Sequence, residues 1–292
     1  MNLNRIAALC FLLLVACDSG APPQVIVVYA PDQIEKGLRE WADDSGFEVT
    51  LVTGDIAVLT DTIITKQDSP RADVLVTSNA IDIWRAGDEG ALRPITGDAL
   101  TTIPDELRDP EGLWAAFGKR YVNIAVGPQA EALLPRNYED LGDEERAGQL
   151  CLVTSALPVS RVVMSMLIQD HGVKSAERIV RRWVRNLAQE PFATEAELIA
   201  ALASGDCDYG IVVHPLQAPG VVRIKPVPAY VDIYAVGVSR HAGNADGAQA
   251  FVDWMLNERS VETPAGTNGR NVGVAGWRDE EARLLAERAG YR

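Results

Sequence analysis

Polar residues follow several predicted strands at the points where helices begin, and these are the positions at which the sequence offers binding chemistry. Side-chain hydroxyls and the backbone N–H groups of a helix start form a ready anion site. The same atoms serve equally well as helix caps, and the two interpretations stay open. The residues concerned are Thr53, Gly54, Asp55, Ser78 and Asn79 in the first half of the chain, and Ser155 and Ser160 in the second.

Five further side chains are candidates for ligand contact. Strand alternation directs one of Lys119 and Arg120 toward any cleft, where it would pair with an anionic ligand. His214 ends a predicted strand, whereas Asp32 also suits a helix cap. Tyr29 and Tyr230 suit either ligand contact or aromatic packing. The candidates are therefore Tyr29, Asp32, Arg120, His214 and Tyr230.

The sequence lacks the motifs that usually mark an enzyme. There is no Gly-x-Ser-x-Gly, no phosphate-binding Walker loop, no Gly-x-Gly-x-x-Gly and no His-Glu-x-x-His. His171, His214 and His241 show no metal-ligand spacing. We expect a non-enzyme without a cofactor, and the sequence does not establish whether a metal binds.

The first residues resemble a bacterial lipoprotein signal. Arg5 precedes the apolar run 6–15, which is too short for a spanning helix and fits a signal-peptide core. The run leads into Leu-Val-Ala-Cys, which predicts lipidation at Cys17, although a plain secretory signal is the alternative. Residues 1–17 are then the signal with its lipid-bearing cysteine, and 18–23 are a tether. Asp18 favours the periplasmic face of the inner membrane.

The composition indicates a folded acidic protein. The formal net charge is −14 over 292 residues, and the hydrophobic fraction of 47% allows a proper core. Nucleic-acid binding requires basic surface, so we expect no nucleic-acid partner. We expect a monomer.

Apolar strands alternate with amphipathic helices along the chain, which predicts an α/β fold of two doubly wound sets. Strands near 119–127 and 229–238 would join the two sets as a two-strand hinge. Ligands in open α/β sheets bind beyond the carboxyl ends of the strands, so a cleft between two lobes is expected to hold the ligand. The predicted division is lobe one at 24–122 and 234–278, lobe two at 123–233, and a C-terminal helix at 279–292.

An ordered set of segments resembles the ferric-iron-type binding proteins of bacterial ABC importers, in extracellular solute-binding family 1. This resemblance implies a type II periplasmic-binding-protein fold with a permease and an ATPase as partners. The segments are VIVVYAPDQIEKGLREWADDSGFEVTLVTGD, SPRADVLVTSNAIDIWRAGDEGALRPI, IPDELRDPEGLWAAFGKRYVNIAVGP, NYEDL, ALASGDCDYGIVVHP and AQAFVDWML.

The chain departs from that family at the metal site. Two adjacent tyrosines commonly hold ferric iron after the strand written here as YGIVV, but His214, Pro215 and Leu216 stand there. Asn79 replaces an acidic residue after the third strand. The family pattern also makes the strands that begin near Cys151 and Cys207 neighbours. This predicts either a disulfide between them or two separate buried thiols.

The sequence-based functional hypothesis is a lipid-anchored receptor that captures an oxyanion or anionic organic solute for an ABC importer. The first alternative is a ferric iron or iron-complex binding protein with a non-standard site. Its ligands would come from Tyr29, Asp32, Asp55, Glu195 and Tyr230. A second alternative is a lipoprotein that senses a ligand and signals to a membrane partner.

Overall fold

A computed structural model describes residues 25–67, 69–130, 134–213, 217–258 and 270–292. The predicted signal segment with Cys17, the tether and His214 lie outside these residues.

Within the described residues, ten strands form two sheets, and helices cover them. The strands are β1 (Ile26–Pro31), β2 (Val49–Gly54), β3 (Val74–Thr77), β4 (Leu92–Arg93), β5 (Ala115–Tyr121), β6 (Asn123–Val126), β7 (Leu150–Cys151), β8 (Tyr209–Val212), β9 (Val222–Ile224) and β10 (Val231–Ser239). The helices are α1 (Glu35–Ser45), α2 (Ile56–Ile64), α3 (Ala80–Asp88), α4 (Pro158–His171), α5 (Val173–Asn186), α6 (Glu195–Ser204), α7 (Ala245–Glu258), α8 (Val274–Trp277) and α9 (Asp279–Ala289).

The first sheet has the order β2-β1-β3-β10-β4, and β5 also pairs with β10. Strands β1, β2 and β3 run parallel, whereas β10 runs antiparallel to β3, β4 and β5. The near-continuous apolar runs of β1 and β3 are typical of strands covered on both faces. The second sheet has the order β7-β8-β6-β9. Two sheets flanked by helices confirm the predicted α/β class.

The segment predicted as one strand over 119–127 is divided at Val122. β5 ends in the first sheet at Tyr121, and β6 begins in the second sheet at Asn123. The return crossing precedes Val231, which pairs with Tyr121 and so continues the ladder of the first sheet. Residues 231–233, predicted for lobe two, therefore pair within the first sheet.

The chain passes between the lobes a third time, where the sequence predicted only two crossings. α8 packs on α3 of lobe one and on α4 of lobe two, and α9 then packs on α4 and α5. Gly276 of α8 lies against the Trp84 side chain of α3, and a Cβ there would come within 2.4 Å of it. On the other side, the Ser165 hydroxyl of α4 donates to the Ala275 carbonyl at 3.1 Å. Sequence reading missed this bridge because α8 has only four residues.

Cys151 and Cys207 form a disulfide with their Cα atoms 5.9 Å apart. Cys151 ends β7, and Cys207 lies just before β8, which is parallel to β7. The disulfide alternative is thus confirmed, and the alternative of two separate thiols is wrong. Among the described residues, no helix has the length and apolar character needed to cross a membrane.

Candidate ligand-binding cleft

A cleft of about 420 Å³ opens between the two lobes. Helix starts border it from both sides, as the α/β topology predicts. The lining carries four carboxylates and two guanidinium groups, so it is polar and of mixed charge. It consists of Gln33, Asp55, Ile56, Ala57, Ser78, Asn79, Asp82, Arg120 and Asp232 of lobe one and its hinge strands, and Ala156, Leu157, Pro158, Val159, Arg161, Ala193, Thr194, Glu195, Ala196 and Val213 of lobe two.

A buried ion pair forms the hinge side of the cleft. Arg120 and Asp232 are directly opposite each other on β5 and β10, and their side chains are 2.8 Å apart. Their side chains are only 8% and 1% exposed. Arg120 also donates to the Ser78 carbonyl, and its guanidinium lies over the Tyr234 ring. Of Lys119 and Arg120, it is Arg120 that lines the cleft, and it already has a counter-charge.

The same carboxylate occupies the helix start that was predicted to bind an anion. Asp232 Oδ1 accepts a hydrogen bond from the Ala80 N–H of α3 at 2.9 Å. Burial raises the pKa of the Asp232 carboxyl, while the Arg120 guanidinium and the Ala80 N–H oppose that rise. A negative charge near a helix N-terminus is favourable, and here the protein supplies that charge itself. An external oxyanion would have to compete with Asp232 at this position.

Asn79 acts as a helix cap, one of the two roles that the sequence left open. Its side-chain oxygen accepts from the Asp82 N–H at 2.8 Å, and its amide donates back to the Asp82 carboxylate at 2.8 Å. Asp82 in turn pairs with Arg85 at 3.3 Å. Asn79 and Asp82 therefore line the cleft with atoms that are bonded to each other.

Asp55 caps α2 and is exposed at the cleft. Its Oδ1 accepts from the N–H groups of Ala57 at 2.9 Å and Val58 at 3.3 Å. Both contacts use one oxygen, so the carboxylate combines a capping role with a position on the lining.

Lobe two contributes a buried carboxylate at the start of α6. Glu195 is 7% exposed, and its Oε2 accepts from the Val213 N–H at 2.9 Å. Thr194 precedes it and forms a capping box with Glu197. This side chain faces the cleft across from Asp55 and Asp232, which belong to the other lobe and its hinge strand.

Arg161, which the sequence did not single out, is the lobe-two cation of the cleft. It lies in the first turn of α4 and pairs with Asp279 of α9 at 2.9 Å. Its Nε–H is buried and has no hydrogen-bond partner among the described residues. Burial raises the pKa of Asp279, and Arg161 and Arg283 partly offset this. Arg161 thus places a positively charged group at the cleft.

Four lobe-one candidates lie away from the cleft lining. The Tyr29 hydroxyl donates to the Pro70 carbonyl at 2.9 Å inside the core, and the Thr53 hydroxyl donates to Glu35 at 3.3 Å. Asp32 begins a short 3-10 turn without a side-chain capping bond. Gly54 ends β2 beside Pro31. These four residues were predicted to contact the ligand, but none of them is part of the cleft lining.

The three lobe-two candidates that the structure describes, Ser155, Ser160 and Tyr230, also lie away from the cleft lining. The Ser160 hydroxyl is 2.8 Å from the Tyr291 hydroxyl in the lobe interior, and the Ser155 N–H donates to the Arg292 carbonyl at 3.0 Å. Tyr230 is buried, and its hydroxyl donates to Asp170 at 3.1 Å. The two lobe-two serines predicted to contact the ligand are therefore not part of the cleft lining.

None of the seven tyrosines, all of which lie among the described residues, lines the cleft. Tyr29, Tyr138, Tyr230 and Tyr291 hydrogen-bond within the protein, and Arg146 lies over the ring of Tyr209. The sequence contains no two adjacent tyrosines, and the described cleft lining contains no tyrosine. Across the described residues, no group of three or more His, Cys, Asp and Glu side chains is placed to hold a metal ion.

The sheet order and the interlobe cleft define the type II periplasmic-binding-protein fold, and known proteins agree. No family model matches the sequence. The chain is 27% identical over 239 residues to iron uptake protein A1 of Synechocystis sp., a match covering 74% of this chain and 65% of that protein. It is 22% identical over 285 residues to the Fe(3+)-binding periplasmic protein of Serratia marcescens, covering 89% and 82% of the two chains.

Solved structures give the same result. A Trichodesmium protein in complex with iron and citrate has a TM-score of 0.79 and 25% identity, covering 92% of this chain and all of that one. The ferric binding protein of Campylobacter jejuni has a TM-score of 0.79 and 19% identity, covering 91% and 100%. The predicted resemblance is confirmed: in sequence and fold the chain is similar to ferric-iron-type periplasmic binding proteins. It spans just under two thirds of the length of the Synechocystis relative.

Proposed function

We propose that the chain is the solute-binding protein of an ABC importer and that it captures ferric iron as an anionic carboxylate complex. The observation that carries the proposal is the mixed-charge cleft on a fold shared with ferric-binding proteins. Closure of the two lobes traps the solute, and the protein performs no chemistry on it. This favours the iron-complex alternative over the free oxyanion that the sequence suggested.

The cleft carboxylates already accept hydrogen bonds from protein groups, which makes them less suited to coordinate a bare ferric ion and supports binding of an iron complex. Asp232 is bonded to Ala80 and Arg120, Asp82 is bonded to Asn79, and Glu195 is bonded to Val213. Hard ferric iron favours oxygen ligands, and an organic carboxylate brings its own. The cleft then needs to recognise only the outer surface of the complex. Carboxylates of the solute would bind a guanidinium of the protein, and water or hydroxyl groups of the solute would donate to protein carboxylates.

Arg161 is the group we assign to the outer carboxylates of the solute. Arg161 lines the cleft, and one terminal nitrogen of its guanidinium pairs with Asp279, which fixes its position. A charge-assisted hydrogen bond contributes about 1.5–3 kcal/mol. Arg161→Gln should therefore weaken binding of ferric citrate by roughly tenfold or more.

Calorimetric titration of the purified protein with ferric citrate tests the proposal. The matched control is Arg178→Gln, because Arg178 is an exposed arginine of lobe two that contacts Ser175 on the surface. Saturable binding that Arg161→Gln weakens and Arg178→Gln leaves unchanged is the expected result. Equal binding of citrate or phosphate without iron would instead support the anionic-solute hypothesis. A phenolate-to-iron charge-transfer colour would contradict a tyrosine-free site.

We further propose that Cys17 carries lipid and that the protein works at the periplasmic face of the inner membrane with a permease and an ATPase. The Leu-Val-Ala-Cys sequence supports the anchor, and the periplasmic relatives support the compartment. Detergent partitioning should move wild type to the detergent phase and Cys17→Ala to the aqueous phase. Equal partitioning of the two would reject the anchor.

A neighbouring sensor-kinase gene, rather than permease and ATPase genes, would favour the sensing alternative.

A further inference from the structure

The two hinge crossings meet at a break in the hydrogen-bond ladder between β5 and β10. Val122 lies between the first sheet and the second, and Tyr230 lies just before β10. Both residues are buried, and the Val122 N–H donates to the Tyr230 carbonyl at 2.9 Å. The remaining backbone groups of this pair, the Val122 carbonyl and the Tyr230 N–H, need other partners because buried backbone groups are costly to leave unbonded.

The hydroxyl of Tyr138 supplies both missing partners. It donates to the Val122 carbonyl at 2.8 Å and accepts from the Tyr230 N–H at 3.1 Å. Tyr138 comes from the loop before β7, so its side chain reaches the hinge from outside either crossing. One oxygen atom therefore connects the outgoing and the returning strand at the point where the lobes pivot.

The ring that carries this hydroxyl is held firmly in lobe two. Tyr138 is 1% exposed and stacks on Tyr230 with ring centroids 4.5 Å apart and planes 11° from parallel. The Trp183 indole N–H of α5 donates to the Tyr138 carbonyl at 2.8 Å. Burial raises the pKa of Tyr138 well above its usual range, so the hydroxyl keeps its proton at physiological pH.

We propose that the Tyr138 hydroxyl is the coupling group of the hinge: it ties the two crossings together, so that they rotate as one unit when the lobes close. Without it, a single backbone hydrogen bond, from the Val122 N–H to the Tyr230 carbonyl, would join the crossings at this point, and the lobes would sample a wider range of relative orientations. Tyr138 is thus a positioning residue that acts on the cleft through the hinge.

Tyr138→Phe tests the coupling, with Tyr291→Phe as its matched control. Tyr291 is equally buried in lobe two, and its hydroxyl also makes two hydrogen bonds, to Val153 and Ser160, away from both crossings. Both variants should lose similar stability. Only Tyr138→Phe should accelerate hydrogen exchange of the Tyr230 amide, by tenfold or more, and widen the distribution of interlobe distances at least twofold.

The distances are measured by electron spin resonance between labels at two exposed lysines, Lys36 in lobe one and Lys174 in lobe two. If Tyr138→Phe leaves the Tyr230 exchange rate and the distance distribution as in wild type, the proposal is wrong. It is also wrong if Tyr291→Phe changes both as strongly. If Tyr138→Phe does not fold, hydrogen exchange of the wild-type protein still tests the proposal. The Tyr230 amide of wild type must exchange as slowly as the amides of β10, and faster exchange would contradict the proposal.

Discussion

At the scale of single residues, the Arg120–Asp232 ion pair both stabilises the hinge strands and lines the cleft. Removing one member of a buried pair leaves the other charge uncompensated, which costs about 3–5 kcal/mol. Asp232→Asn should therefore lower the free energy of unfolding by about 3 kcal/mol or more, measured by urea denaturation. The substitution removes the carboxylate charge next to a guanidinium that is only 8% exposed.

An exposed ion pair provides the control for that measurement. Arg39 and Glu35 are one helical turn apart on α1, with 58% and 36% of their side chains exposed. Arg39→Gln should change the free energy of unfolding by no more than about 0.5 kcal/mol, because solvent screens such pairs. A loss of similar size in both variants would show that burial does not set the strength of the Arg120–Asp232 contact.

Three of the candidates that follow predicted strands lie at the cleft. Asp55, Ser78 and Asn79 line the cleft because the carboxyl ends of parallel strands meet at one edge of a sheet. Asp232 was missed because its importance depends on the register that sets it opposite Arg120. Arg161 was missed because its direction depends on the rotation of α4 about its axis, which a local pattern does not determine.

At the scale of elements, an ion pair that includes a titratable carboxylate joins α9 to α5. Arg181 and Arg288 hydrogen-bond the Glu177 carboxylate and lower its pKa below the ordinary 4.5. Arg288→Gln should raise the pKa of Glu177, as measured by NMR titration, because one of the two guanidinium groups is lost. A lowered folded-state pKa adds stability above the unfolded pKa that disappears as the pH falls through the folded value.

Arg178→Gln serves as the comparison, since Arg178 contacts Ser175 on the same helix. The pKa of Glu177 should stay the same in that variant. If Arg288→Gln also leaves it unchanged, Arg288 does not hold Glu177 in solution.

The disulfide fastens the edge of the second sheet. Cys151 and Cys207 are 56 residues apart, and closing a loop of that length in the unfolded chain accounts for about 4 kcal/mol in the chain-entropy model. The Cys151→Ser, Cys207→Ser double variant should therefore lose up to about 4 kcal/mol of unfolding free energy. Reductant should destabilise wild type but not the double variant. A wild-type stability that does not respond to reductant would contradict this.

The elements themselves were largely predictable, and their ends were less so. Apolar runs identified β1, β3 and β8 because buried strands have a distinctive composition. The division of the 119–127 segment at Val122 was not visible, because no turn or breaker residue in KRYVNIAV marks the change from one sheet to the other. β9 was not predicted either, since an edge strand of three residues leaves little pattern.

At the scale of the whole molecule, each lobe is assembled from segments far apart in the chain. Tyr291 is the clearest example, because it is buried in lobe two and donates to the Val153 carbonyl at 2.6 Å. Deleting residues 290–292 should lower the free energy of unfolding by about 3 kcal/mol or more, as expected for losing a large core side chain. Denaturation in urea measures the loss.

Leu284→Ala on the same C-terminal helix is the control, because Leu284 is 43% exposed. It should change the free energy of unfolding by less than about 0.5 kcal/mol. A truncated protein as stable as this variant would show that Tyr291 does not contribute to the core of lobe two.

The position of β10 has a consequence for the order in which the chain acquires structure during synthesis. Domains generally fold as units while they emerge from the ribosome, the N-terminal one first. Here the first sheet lacks β10, which pairs with β3, β4 and β5, until Ser239 has been made, and the second lobe lacks its buried Tyr291 until the chain has been made past α9. We therefore expect neither lobe to complete its core before β10 and α9 have been synthesised, so the two lobes should finish folding late and close together in time.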